Sequence, residues 1–278
     1  ASAQTRAPDP ARLKATVEKL VRFGTRHTLS SASDPKRGIG AARRWGAAEF
    51  EKIAKGCGGC LTVETIADRF TGSRAPNGVE VVDVLAIQKG TGDPNQVGIV
   101  AGHIDSRVSD VMNATSDAPG ANDNASGTAL VIEAARVLAG EKFDGTIVYA
   151  LLSGEEQGLW GGKLLAATAK ARGWQVRAML NNDIVGNTLG QNGQIVADRV
   201  RVFSEGIRFA EDEKAARTRR AIGGEDDGPS RALAKKIDGI AEANPQVGLD
   251  VFAVRRLDRF GRGGDHSPFL ELGFPAVR

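Results

Sequence analysis

No apolar run in this chain approaches the roughly 18 residues that a membrane-crossing helix needs, so nothing in its 278 residues reads as a membrane span. Thiols are scarce as well. Cys57 and Cys60 are the only two cysteines, and a four-thiolate zinc site needs a second pair. They lie in Gly56-Cys57-Gly58-Gly59-Cys60, after a helix-like stretch and before a strand-like one. A redox dithiol needs the opposite placement, at a helix N-terminus that lowers the thiol pKa. A small structural disulfide in an oxidising compartment is therefore preferred over two reduced surface thiols. Excess charge is missing too: 37 Lys and Arg are interspersed with 34 Asp and Glu, for a net charge of +3, and a nucleic-acid partner is not expected. The chain has no internal repeat and no low-complexity linker, one tyrosine, and three histidines. With so few histidines, the residues that accompany each one are informative.

At the N-terminus, Ala1-Ser2-Ala3 stands in place of an initiator Met and resembles the small-x-small end of a secretory signal, so a periplasmic or secreted location is expected. Residues 10–23 and 37–55 read as helices, the second with Ala41, Trp45, Ala48 and Ile53 at helical spacing and Gly56 as its stop. The period then changes to that of strands at 61–66 and 79–88, and residues 97–102 form the continuous apolar run of a strand covered on both faces. From there helices at 124–139, 159–172, 229–243 and 267–272 alternate with strands at 146–152, 177–184, 200–204, 249–254 and from Phe274. Such alternation predicts an α/β fold, a three-layer α/β/α sandwich with a mixed, mostly parallel central sheet, and the early strand–strand succession makes one side of it antiparallel. The charged, Gly-rich residues 211–228 read as a solvated loop. The last strand has only begun at Arg278, so the single domain spanning 1–278 is expected to continue beyond it.

The residues with chemistry to offer collect after strands. His103 and Asp105, in Gly102-His103-Ile104-Asp105, follow the buried strand 97–102, and two-residue spacing in extended chain puts them on one side. There Asp105 can accept a hydrogen bond from one imidazole nitrogen and present the other to a metal. Taken alone, the pair is as readily a hydrogen-bonded loop histidine. Asp123 precedes a helix, where an N-cap is the ordinary role. Glu155 and Glu156 follow the strand ending at Leu152, and adjacent carboxylates after a buried strand point to a nearby cation. Asp183 ends a strand, and His266 lies in Gly264-Asp265-His266-Ser267 before a short helix. Together these are five imidazole and carboxylate ligands, with a spare Glu, at positions where open α/β sheets gather ligands. Without thiolate such a set suits zinc, with cobalt or manganese as substitutes, and one shared carboxylate makes a two-metal site.

The ordered set Gly102-His103-Ile104-Asp105, Asn122-Asp123-Asn124-Ala125-Ser126-Gly127, Ser153-Gly154-Glu155-Glu156-Gln157-Gly158, Asn182-Asp183 and Gly264-Asp265-His266-Ser267 resembles the co-catalytic zinc aminopeptidases. That family includes the secreted bacterial leucyl aminopeptidases, glutamate carboxypeptidase II and the transferrin receptor ectodomain. The resemblance runs from about residue 80 to the end. It implies one zinc on His103 and Asp183, a second on Glu156 and His266, and Asp123 bridging them after which comes a cis peptide to Asn124. It also implies Glu155 as general base, Asp105 as the partner of His103, and removal of N-terminal residues from a peptide substrate. The resemblance leaves the oligomeric state open.

Two departures stand out. Family members often carry an oxyanion-steadying Tyr between the last Asp and the last His, whereas Tyr149 lies earlier, inside a predicted strand. Arg255, Arg256, Arg259 and Arg262 are the substitute candidates, against their reading as a solvated basic loop. The family's usual C-terminal segment, which adds a substrate-proximal His and further sheet, is not present in the sequence. His27, without an acidic neighbour in sequence, reads as a surface or interface residue, and Trp160 as a pocket wall or a core residue. The rival functions are a related two-zinc carboxypeptidase or deacylase, a one-zinc glutaminyl cyclase, and a non-catalytic binding module. The first typically needs an inserted dimerising domain, and the stretch between Glu156 and His266 already holds Asp183 and several core elements. The last typically loses ligands, and here all are present.

Overall fold

The computed structural model describes residues 7–258 and 263–278; Ala1-Ser2-Ala3, Arg259 and Arg262 lie outside the described residues. Helices α1 (Pro10–Val21) and α2 (Gly38–Gly56) precede the hairpin β1 (Thr62–Gly72) and β2 (Ala75–Gln88). Then follow β3 (Gln96–His103), α3 (Ser126–Leu138), β4 (Thr146–Leu152), α4 (Glu155–Gly158), α5 (Trp160–Ala171) and β5 (Gln175–Asn181). The last part holds β6 (Arg199–Phe203), α6 (Glu213–Ala221), α7 (Pro229–Ala243), β7 (Asp250–Val254), α8 (Ser267–Glu271) and β8 (Ala276–Val277).

Six strands form one sheet in the order β1-β2-β4-β3-β5-β8. The β1/β2 and β2/β4 pairs are antiparallel, and β4/β3, β3/β5 and β5/β8 are parallel, as the sequence predicts. Strand periodicity splits β4 between two cores: Tyr149 and Leu151 pack under α1–α3 with Phe50 and Val131, while Val148, Ala150 and Leu152 pack under α5 and α8 with Leu165 and Phe269. Both faces are covered, which is why the central strands read as unbroken apolar runs. Cys57 and Cys60 form a disulfide.

Three expectations need correction. The 200–204 and 249–254 strands are not in the main sheet; β6 and β7 pair parallel in a two-stranded sheet against α7, around Val202, Ala234 and Val251. Residues 211–228 are not a loop: Asp212 caps the first turn of α6 by accepting from the Ala215 N–H, and a 3-10 turn follows at Gly224–Asp227. Only Ala216 of α6 is buried, so the helix carries no apolar stripe to read. His27 is fully buried, not on the surface.

His27 belongs to a buried polar run, Thr25-Arg26-His27-Thr28, that joins the N-terminal segment to the loop after β3. The Arg26 guanidinium donates to the carbonyls of Ile104 (2.7 Å), Leu20 (3.0 Å), Pro119 (2.9 Å) and Gly120 (3.0 Å). Burial lowers its pKa to about 10 against the raising influence of Asp105 and Asp123. His27 Nδ1 accepts from the Leu29 N–H at 3.0 Å, so its proton sits on Nε2 and goes to the Val111 carbonyl at 3.0 Å. The Gln157 amide, also 3.0 Å from Nε2, must then turn its oxygen to the ring. Replacing Arg26 with Met strands four buried carbonyls at once. Urea denaturation is expected to show a loss of about 3–5 kcal/mol, and an unchanged midpoint would contradict this role.

Candidate metal centre

Four of the predicted site residues come from the carboxyl ends of three adjacent strands. His103 is the last residue of β3, Glu155 and Glu156 open α4 just past β4, and Asp183 lies two residues past β5. Gly154, at φ 76, makes the sharp turn that aims the Glu pair back over the sheet edge. Asp123 arrives by the long loop from β3 to α3, and the Asp123–Asn124 peptide is cis. That loop packs tightly: a Cβ on Gly127 would fall 2.0 Å from the Asn182 carbonyl, so only glycine lets α3 start here.

Three ligand atoms converge. His103 Nε2 lies 3.2 Å from Asp123 Oδ1 and 3.8 Å from Asp183 Oδ1, and one ligand atom from each residue falls within 4.8 Å of the others. Both His103 Nε2 and Asp183 Oδ1 are buried without a hydrogen-bond partner. Buried orphan polar atoms are costly, and these two, with the half-exposed Asp123 Oδ1 beside them, fit a divalent ion. His103 is 1% exposed and the Asp123 side chain 49%, so the cluster opens to solvent on the Asp123 side.

Asp105 holds this arrangement together and is fully buried. Its Oδ1 lies 3.4 Å from His103 Nδ1 and accepts from the Glu155 N–H at 3.3 Å. Its Oδ2 accepts from the Glu156 N–H and the Thr28 hydroxyl, both at 3.1 Å. Since His103 Nδ1 also lies 3.2 Å from the Asp105 carbonyl, Asp105 orients the imidazole through carbonyl and carboxylate together, and its carboxylate fixes the backbone of the Glu pair.

The charges are tightly linked. Burial opposes the imidazolium of His103, but the nearby carboxylates of Glu155, Asp105, Asp123 and Asp183 overcome it and push the pKa well above the usual value. Burial likewise raises Asp105, Asp123 and Asp183, yet the His103 ring beside them outweighs it and leaves all three below the ordinary carboxylate range. Glu155 has no such donor: burial, with Asp265 and Asp183 nearby, pushes it well up against the pull of His103. Burial also raises Glu156.

Glu156 and His266 are placed differently from the three. Glu156 Oε2 accepts from Arg107 Nε at 2.5 Å, and its carbonyl accepts from Arg74 Nη1 at 2.5 Å. His266 Nε2 faces the Leu257 carbonyl at 2.8 Å, Nδ1 is buried without a partner, and burial lowers the pKa to about 4. Neither belongs to the three-ligand cluster, which is the one such group among the described residues. Of the substitute arginines, Arg255 pairs with Asp226 at 3.2 Å. Tyr149 is buried and donates to Gln88 Oε1, and Trp160 is a core residue stacked on Phe70. Thr28, Arg107 and Arg278 also contact the site residues. Arg278 pairs with Asp183 across 2.8 Å, and no sequence motif marks it.

A family model described as Peptidase family M28 matches residues 83–278. A "Probable zinc metalloprotease" of Pyrenophora teres f. teres is 48% identical over 269 residues, covering 96% of this chain and 56% of its own length. Another of the same description, from Pyricularia oryzae, is 47% identical over 274 residues, covering 97% and 54%. The chain thus spans a little over half the length of these relatives. Among solved structures, a leucine aminopeptidase precursor from Bacteroides thetaiotaomicron has a TM-score of 0.68 at 15% identity, covering 99% of this chain and 85% of the other. A glutaminyl cyclase of the same organism, bound to N-acetylhistamine, has a TM-score of 0.67 at 15% identity over the same shares. At such identity these two speak for the fold alone.

Because an ion needs His103 neutral while its surroundings favour the charged form, metal binding must release a proton. Zinc affinity is therefore expected to fall as pH drops below the His103 pKa, and titration calorimetry in buffers of different ionisation enthalpy should detect the release. Asp105→Asn is expected to weaken zinc binding about 10–100-fold, measured by chelator competition. Undiminished affinity in that variant would refute the orienting role of Asp105.

Proposed function

This chain belongs to peptidase family M28, and from that premise we propose that it is a zinc aminopeptidase removing N-terminal residues from peptides. The observation that carries the reading is the convergence of His103, Asp123 and Asp183, joined through the Asp105 carboxylate to the backbone of Glu155 and Glu156. One zinc is assigned to His103 and Asp183 and a second to Glu156 and His266, with Asp123 shared. For His266 the ring nitrogen left to an ion is Nδ1, since Nε2 is engaged by Leu257.

Zinc held there supplies a Lewis acid for the scissile carbonyl and acidity for a bound water. Glu155 takes the proton of the attacking water and returns it to the leaving amine. Its buried setting suits both tasks, because a carboxyl with a raised pKa holds a proton long enough to give it back. Asp105 keeps the imidazole of His103 in register while that transfer occurs.

A second reading rests on one observation: among the described residues three ligand atoms converge, the number of protein ligands in many one-zinc catalytic sites. A glutaminyl cyclase, which closes an N-terminal glutamine on its own amide, works with one zinc. Metal analysis separates the two readings, two ions per chain against one. We also infer that the chain is exported, since the Cys57–Cys60 disulfide suits an oxidising compartment.

Aminoacyl 4-nitroanilides are expected to be cleaved, N-acetylated ones spared, and the activity lost to chelator and restored by zinc. Glu155→Gln should cut kcat by about 10²–10⁴ while zinc content persists. Turnover surviving that change would remove Glu155 from its role, and conversion of N-terminal glutaminyl peptides without nitroanilide release would favour the cyclase.

A further inference from the structure

Asp183 offers the ion one oxygen because its other oxygen is already taken. Arg278 Nη2 lies 2.8 Å from Asp183 Oδ2, leaving Oδ1 without a hydrogen bond and 3.8 Å from His103 Nε2. The same guanidinium reaches the other way, with Nη1 donating to Asp258 Oδ1 at 2.7 Å and to the Gly263 carbonyl at 2.8 Å. Asp258 Oδ2 in turn accepts from the Gly263 N–H. Arg278 therefore joins a candidate ligand to both ends of the segment that leads to His266.

Its own backbone is held in place. The Phe203 N–H donates to the Arg278 carbonyl at 2.8 Å, and the Arg278 N–H donates back at 3.3 Å. Both ion-paired side chains are almost fully buried, Arg278 at 9% and Asp258 at 1% exposure. A guanidinium so fixed, with a planar fork matched to carboxylates, is a rigid template and not a solvated charge.

We infer that Arg278 is a positioning residue of the metal centre: it aims Asp183 Oδ1 at the ion and ties that ligand to the loop carrying His266. The inference rests on the metal reading above. Two effects oppose each other. A cation beside a ligand repels an incoming ion, but Asp258 neutralises this one at 2.7 Å, so the orienting effect wins. Without the guanidinium, Asp183 Oδ2 and Asp258 Oδ1 would each lose the donor that fixes them, and both carboxylates would be free to turn.

The test is zinc affinity, read by competition with a chromogenic chelator, beside the melting temperature of the metal-free protein. Arg278→Gln should weaken zinc binding about 100-fold, and Arg278→Lys, which keeps the charge but loses the fork, about tenfold. If Arg278→Gln does not fold, the lysine variant decides. Zinc affinity within about twofold of the unaltered chain, or tighter, at unchanged metal-free melting overturns the inference in either variant. If the unaltered chain itself binds no zinc, the metal reading fails and takes this inference with it.

Discussion

The candidate centre depends on a single buried carboxylate. Asp105 accepts from the Glu155 and Glu156 amides and the Thr28 hydroxyl and stands against the His103 ring, so the end of β3, the start of α4 and the N-terminal segment meet on its two oxygens. A buried anion is tolerated only when donors surround it, and these donors come from parts of the chain far apart in sequence. Any movement of one of them moves the others. The imidazole that would face a metal and the glutamate that would handle the proton are thereby set relative to each other before any ligand arrives.

Around that carboxylate lies a polar interior joined by bonds between parts of the chain far apart in sequence. Arg26 closes four main-chain carbonyls, His27 spans from the Val111 carbonyl to the Gln157 amide, and Arg278 joins Asp183 to Asp258. The long segment between β3 and α3 has little regular structure to satisfy its own backbone, so the N-terminal residues supply donors to it. Helices α1 and α2 thus do more than cover one face of the sheet. They bring the polar run 25–28 to the loop that carries Asp123.

Much of this architecture was legible in advance because strand and helix periods survive in single segments. The run 97–102, the alternation at 79–88 and the helical spacing of 37–55 each reflect local burial on one or two faces, and each lies where the sequence predicts. Helix α6 was not legible, since a mostly solvated helix has no apolar stripe, and neither was the departure of β6 and β7 into a sheet of their own, since pairing partners leave no mark on a strand's period. The burial of His27 is hidden in the sequence for a related reason. Its partners Val111 and Gln157 are distant in sequence, and a polar residue without a local partner looks exposed.

By itself the sequence determined the alternating α/β order, the ligand types offered at successive strand ends and the motif order that places the chain in its family, because each depends on residue identity and short spacing. Only the tertiary structure decided that His103, Asp123 and Asp183 converge, that Glu156 is held by Arg107 and His266 by Leu257, and that Arg278 takes one oxygen of Asp183. Convergence of side chains is set by sheet order and loop packing, and these follow from the whole chain satisfying its buried polar groups at once.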